Sequence, residues 1–171
     1  SNELATDAIG VSVVSDAIPP TVAITSASND PANGSFDITI TFSEDVSGFD
    51  VGDLTVSNGV AGSFAGSGSV YTASIIPAAD GAVTVDIAAA IAQDAAANNN
   101  TAASQFSIEN DETSPTVVIS SIASDPVNGS FDITITFSED VMGLVVGDLT
   151  VGNGTAGNLA GSGAIYTATI T

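Results

Sequence analysis

The sequence predicts an all-β protein built from tandem β-sandwich repeats of about seven strands each. Three observations carry that expectation. The run FDITITF alternates apolar Phe36, Ile38, Ile40 and Phe42 with polar Asp37, Thr39 and Thr41, the period-2 pattern of a strand with one buried face. Similar short runs are separated by turn-forming stretches, NDPANG, PAADG and DAAANNN, at the spacing of an all-β fold. Finally, the segment starting at Pro20 returns at Pro115, an offset of 95 with no gap, and 40 of 57 positions agree when 20–76 is laid on 115–171. Identity of that extent is tandem duplication.

Taken in chain order, Val22 and Ile24 mark a first strand and FDITITF a second. The Asn33-Gly34 pair between them, repeated as Asn128-Gly129, is a hairpin turn signal because both residue types tolerate positive φ. Leu54 and Val56 mark a third strand. A weak fourth lies near 63–65, and Tyr71, Ala73 and Ile75 mark a fifth. Val83, Val85 and Ile87 give the sixth, and Phe106 with Ile108 the seventh. The segment IAAAIAQDAAA has helical propensity but is short, and is assigned to the connection between the sixth and seventh strands. Seven short strands in about 90 residues describe an immunoglobulin-like sandwich.

The repeat arithmetic divides the chain. Thr101 and Asp111 fall on Thr6 and Asp16, so residues 1–18 are expected to be the last strand and linker of a preceding repeat. Residues 19–112 form a complete repeat, and 113–171 a partial one that reaches the equivalent of Ile76.

Composition narrows the chemistry. The chain of 171 residues has 20 Asp and Glu, no Lys, Arg or His, and a formal net charge of −20. No carboxylate can find a side-chain cation, so its counter-charge must come from solution. Charged residues are only 12% against 44% apolar, which suits a folded domain and not an acidic tail. Zero Cys removes disulfides, zinc-thiolate sites and thiol catalysis. Nucleic acid is excluded as a partner because phosphate binding is driven by Lys and Arg, and an anionic membrane surface is excluded for the same reason. Neither an apolar run of 18 residues nor a basic stretch leading into an apolar one occurs, so no membrane-spanning helix or signal peptide is expected in these residues.

Three motifs carry a family resemblance: DETSP at 111–115, TFSEDV at 41–46 and again at 136–141, and Asp94 with Asn98 in the connection before the last strand. They resemble the bacterial immunoglobulin-like repeats of large surface adhesins and biofilm-associated proteins, in which a D-x-T-x-P linker precedes the first strand and TFSE-x-V ends the second. The resemblance implies a long cell-surface stalk, stiffened by calcium between domains. The first linker, DAIPP at 16–20, departs from the pattern in lacking the Thr and the second acid.

In a sandwich whose strands run alternately up and down, the linker lies beside loops at the poles. That geometry is expected to gather Asp16, Glu44, Asp45 and Asp94 at the first junction. At the second it gathers Glu109, Asp111 and Glu112 with Glu139 and Asp140, and Asp30 or Asp80 as further candidates. Calcium takes 6 to 8 oxygen ligands, so three or four carboxylates with carbonyls and water suffice. Each acid taken singly is equally accounted for as a solvated loop residue, and a halophile's acidic surface is a competing explanation of the charge. The Asn-x-Ser/Thr sequons at Asn33, Asn99, Asn128 and Asn153 are read as turns.

The function expected from these residues is a non-catalytic structural repeat of an extracellular adhesin or surface filament. Its partners would be neighbouring repeats or copies of itself, and its metal calcium. The alternative is a subunit of a non-covalent extracellular filament assembled by strand exchange between copies. Enzymatic chemistry is left only to carboxylates, as in glycosidases, and without Trp a sugar-stacking platform is missing.

Overall fold

A computed structural model describes residues 16–171; of the terminal strand and linker expected at 1–18, the part before Asp16 lies outside the described residues. The chain divides into two compact units, the first ending at Glu112 and the second spanning Thr113–Thr171.

Unit 1 has six strand runs: β1 (Val22–Thr25), β2 (Phe36–Val46), β3 (Leu54–Ser57), β4 (Gly59–Pro77), β5 (Gly81–Ile87) and β6 (Phe106–Asn110). They make two antiparallel sheets, ordered β1-β2-β4 and β3-β5-β6. β4 is a single run that doubles back. The amide of Ala78 donates to the carbonyl of Asn58 at 3.0 Å, and a side chain on Gly59 would collide with the backbone of Ile76. The tip lies at 66–68, where Gly66 and Gly68 take φ of 128° and 67°, values that glycine adopts without a Cβ penalty. The weak strand expected at 63–65 and the strong one at 71–75 are therefore two arms of this hairpin. Counting both arms restores seven strands in the four-plus-three division of an immunoglobulin-like sandwich.

The period-2 pattern does what it promised. On β2, Phe36, Ile38, Ile40 and Phe42 are buried, and their partners across the ladder on β4 are Ile75, Ala73 and Tyr71 for the first three. Val83, Val85 and Ile87 of β5 and Ile108 of β6 face them from the other sheet within one core. Phe42, Phe49, Phe64 and Tyr71 pack edge-on or stacked with centroids 5.0 to 6.0 Å apart, a favourable aromatic arrangement. The Ala-rich segment at 88–97 forms no helix; its backbone is claimed by buried Asn100 instead, as described below.

Unit 2 repeats the first sheet only: β7 (Val117–Ser120), β8 (Phe131–Val141) and β9 (Ala156–Ile170), ordered β7-β8-β9. β9 doubles back as β4 does, closed by mutual amide-to-carbonyl bonds between Thr155 and Thr171 at 2.8 and 2.9 Å. Ile133 is half-buried where its equivalent Ile38 is 0% exposed, because among the described residues no second sheet faces β8. Residues 149–151, the counterpart of β3, form no strand, since the ladder partner that β5 provides in unit 1 has no counterpart among the described residues.

Candidate metal centre

The acids of unit 1 sort by pole. At the N-terminal pole a ladder irregularity sets the geometry. Thr41 faces Val70, yet Val46 faces Gly68, so β2 carries four residues between them against one on β4 and its backbone arches out of the regular ladder. That arch brings Glu44 towards the linker and the 88–105 connection. Two bonds between Ser47 and Gln93, amide to carbonyl in each direction at 2.8 and 3.0 Å, fasten the same loop to that connection.

The linker is pinned alongside. Pro20 is fully buried, its carbonyl accepts from the Thr101 amide at 2.9 Å, and Ser43 Oγ accepts from the Thr21 amide at 3.0 Å. Asp16 starts this segment with an Asx-type turn, its Oδ1 accepting from the Ile18 amide at 3.0 Å. Asp94 is 6% exposed. Its Oδ1 accepts from the amides of Ala96 and Asn98 at 2.8 and 2.9 Å, and its Oδ2 from Asn98 Nδ2 at 2.8 Å. The same Asn98 Nδ2 also donates to the carbonyl of Asp16 at 3.2 Å, tying linker and connection together.

The result is that Asp16, Glu44 and Asp94 each present a carboxylate oxygen within 4.8 Å of the other two, the one such group among the described residues. With no base in the chain, loss of hydration and the crowding of acids raise the proton affinity of Glu44. Loss of hydration raises the Glu44 pKa above 4.5, and the charges of Asp16 and Asp94 add to the rise. The Asn98 side-chain amide holds Asp94 below 3.8 against its own burial, with help from the backbone amides of Asn98, Ala96 and Ala97. An all-oxygen donor set of this kind fits a hard divalent cation and not zinc, which prefers nitrogen and sulfur.

Asp45, the neighbour of Glu44, points elsewhere: a Cβ on Gly68 would lie 2.9 Å from Asp45 Oδ1, so this carboxylate sits over the β4 hairpin tip. Asp140 stands over Gly163 in the same way in unit 2. Glu139 occupies the place of Glu44 on β8. Glu109 and Asp111 lie at the opposite pole of unit 1, where the Glu109 amide donates to Asp30 Oδ1 at 3.0 Å and the Asp111 amide to the carbonyl of Ala32 at 2.9 Å. Asp30 and Asp80 thus act as acceptors for linker amides, the latter from Glu112 at 2.7 Å.

Two residues that organise these poles escape sequence reasoning. Asn100, 2% exposed, accepts from the amides of Ile91 and Ala92 and donates to the carbonyls of Ala88 and Thr101. Asn110, equally buried, does comparable work at the other pole. Their only signal in the sequence is Asn in turn-rich context, which solvent-facing Asn shares.

Two sheets in four-plus-three order, a pinned linker and a polar cluster at the pole define an immunoglobulin-like structural module. More particularly, the chain belongs to the bacterial Ig-like domain family, whose description matches it twice, over residues 16–109 and 111–171. No curated protein matches the chain. Domains of this family are typically non-catalytic and often found outside the cell or on its surface. No helix among the described residues is long and apolar enough to cross a membrane.

Proposed function

We propose that this chain is part of a non-catalytic stalk of an extracellular adhesin or surface filament, and that Asp16, Glu44 and Asp94 hold a calcium ion that fixes the linker to the sandwich. The observation that carries the reading is the meeting of one linker acid with one acid from the end of β2 and one from the 88–105 connection, three separated stretches of chain, where no cation is available to offset them. A divalent ion there would cancel two of three charges and bind the linker to the end of β2 and to the 88–105 connection at once. Stiffness and reach follow from repeating that arrangement along an array of domains. Calcium is favoured over magnesium because it accepts irregular sets of 6 to 8 oxygens, whereas magnesium demands a near-ideal octahedron. At ten times its dissociation constant the ion would add about 1.4 kcal/mol to the stability of the folded unit.

The test is thermal unfolding of the whole chain in calcium, magnesium and sodium series, paired with calorimetric calcium titration. Stabilisation by millimolar calcium that disappears in the Asp16→Asn, Glu44→Gln, Asp94→Asn triple variant is expected. A response to molar salt alone, or the same calcium response in the triple variant, would overturn it.

A further inference from the structure

We infer that Asn110 is the keystone of a metal-independent latch that makes the linker, as far as Glu112, part of the rigid body of unit 1. Three stretches meet at the C-terminal pole: the turn at 30–34, the turn at 79–81 and the chain at 109–112, where β6 ends at Asn110 and the linker begins. Asn110 joins all three. Its side chain is 2% exposed; Oδ1 accepts from the Gly34 amide at 3.1 Å, and Nδ2 donates to the carbonyl of Ala79 at 3.2 Å. The backbone on either side is held too. The Ala32 amide donates to the carbonyl of Glu109 at 2.7 Å and the Asp111 amide to the carbonyl of Ala32 at 2.9 Å, a parallel bridge of Ala32 with Asn110.

Two carboxylates complete the latch. Asp30 Oδ1 takes the Glu109 amide at 3.0 Å, and Asp80 Oδ1 the Glu112 amide at 2.7 Å. Such charge-assisted bonds are among the stronger ones available to a protein, and here the partial positive charge of backbone N–H groups serves acids that have no basic side chain to meet. Gly34 makes the close approach possible. It takes φ of 90°, and a Cβ there would already touch Glu112 Oε1 at 3.4 Å. The amides of Glu109, Asp111 and Glu112 are thus all committed to unit 1. Removal of divalent ions leaves 109–112 in place, so the latch is separate from the calcium reading above and stands or falls without it.

Backbone hydrogen exchange by NMR on the whole chain in EDTA tests this. The amides of Glu109, Asp111 and Glu112 are expected to exchange at least tenfold more slowly than an unstructured chain. Asn110→Ala should cost Gly34, Asp111 and Glu112 at least tenfold in protection while β2 and β5 keep theirs. Because Asn110→Ala removes a buried polar group and can unfold the unit, Asp80→Ala on the exposed turn is the second variant, expected to release Glu112 alone. Free exchange of the linker amides in EDTA with protection arriving only on calcium addition would overturn the latch. So would an unchanged Glu112 amide in Asp80→Ala.

Discussion

Ile38 and Ile133 occupy the same place in two copies of the same strand, yet among the described residues one lies under a second sheet and the other does not. Truncating each to Ala measures what that cover is worth. The substitution removes three carbons, and at about 0.8 kcal/mol per buried methylene-sized group the transfer loss at a fully buried site is about 2.4 kcal/mol. At Ile38, 0% exposed between β2's neighbours and the facing β5, a cavity is also left, which brings the loss to about 3 to 4 kcal/mol, within the range for such changes. Ile133 is half-buried, so about half the transfer loss applies, with no closed cavity, giving about 1.2 kcal/mol. The chain supplies its own reporters. Each repeat has one tyrosine, Tyr71 and Tyr166, with its hydroxyl donating to the carbonyl of Val46 or Val141 at 3.4 and 3.0 Å. In a Tyr166→Phe background tyrosine fluorescence follows unit 1 alone during urea unfolding, and in Tyr71→Phe it follows unit 2. Ile38→Ala is expected to cost about 2 kcal/mol more than Ile133→Ala, which for a domain of this size corresponds to a difference of roughly 8 to 16 °C in Tm. Equal losses within about 0.5 kcal/mol, the usual error of such comparisons, would refute the claim that the second sheet completes the core over β2.

Four further outcomes are expected. In metal-free solution Glu44, whose folded pKa is raised above 4.5, binds its proton more tightly folded than unfolded, so stability falls as pH rises from 4.5 to that raised value. Glu44→Gln should remove this fall, and an unchanged pH profile would contradict it. Asp94, lowered below 3.8, contributes the other way, with stability present above 3.8 and lost as pH drops through its folded value; Asp94→Asn should flatten the acid limb of the unfolding curve. Gly68→Ala forces a side chain into φ of 67° and to within 2.9 Å of Asp45 Oδ1, and should cost about 1 to 2 kcal/mol from the backbone alone, read by urea unfolding; Gly163→Ala should behave alike in unit 2. Asp50 caps the 3-10 turn Val51–Asp53 by accepting from the Gly52 amide at 2.7 Å, while Val145 offers no acceptor at the matching turn. Asp50→Val is therefore expected to destabilise unit 1 and Val145→Asp to stabilise unit 2, each by about 1 kcal/mol, with no shift in either midpoint counting against the cap.

Most of the fold was legible because its signals are local. Alternation in FDITITF, Asn-Gly turns and the 95-residue offset are properties of neighbouring residues or of sequence identity, and each survives without knowledge of the partner strand. The hairpin within β4 was only half legible: its second arm alternates clearly through Tyr71, Ala73 and Ile75, but the first is built largely from Gly, Ser and Ala, which carry almost no periodic signal. Glu44 and Asp45 show the limit of local reading at the metal centre. Alternation puts adjacent acids of a strand on opposite faces but does not say what each will meet; with the irregularity between Thr41 and Val46, Glu44 reaches Asp16 and Asp94 and Asp45 lies over Gly68.

By itself the sequence determined the class of fold, the duplication, and a charge imbalance that no side chain in the protein can relieve, since composition and periodicity need no coordinates. Tertiary structure decided which acids meet across 78 residues of chain, from Asp16 to Asp94, and which are taken up by linker amides. It also decided that buried Asn100 and Asn110 hold the loops on which those acids sit. Such pairings depend on the distance between loops at the end of a closed sandwich, which arises only when two sheets pack face to face over their common core.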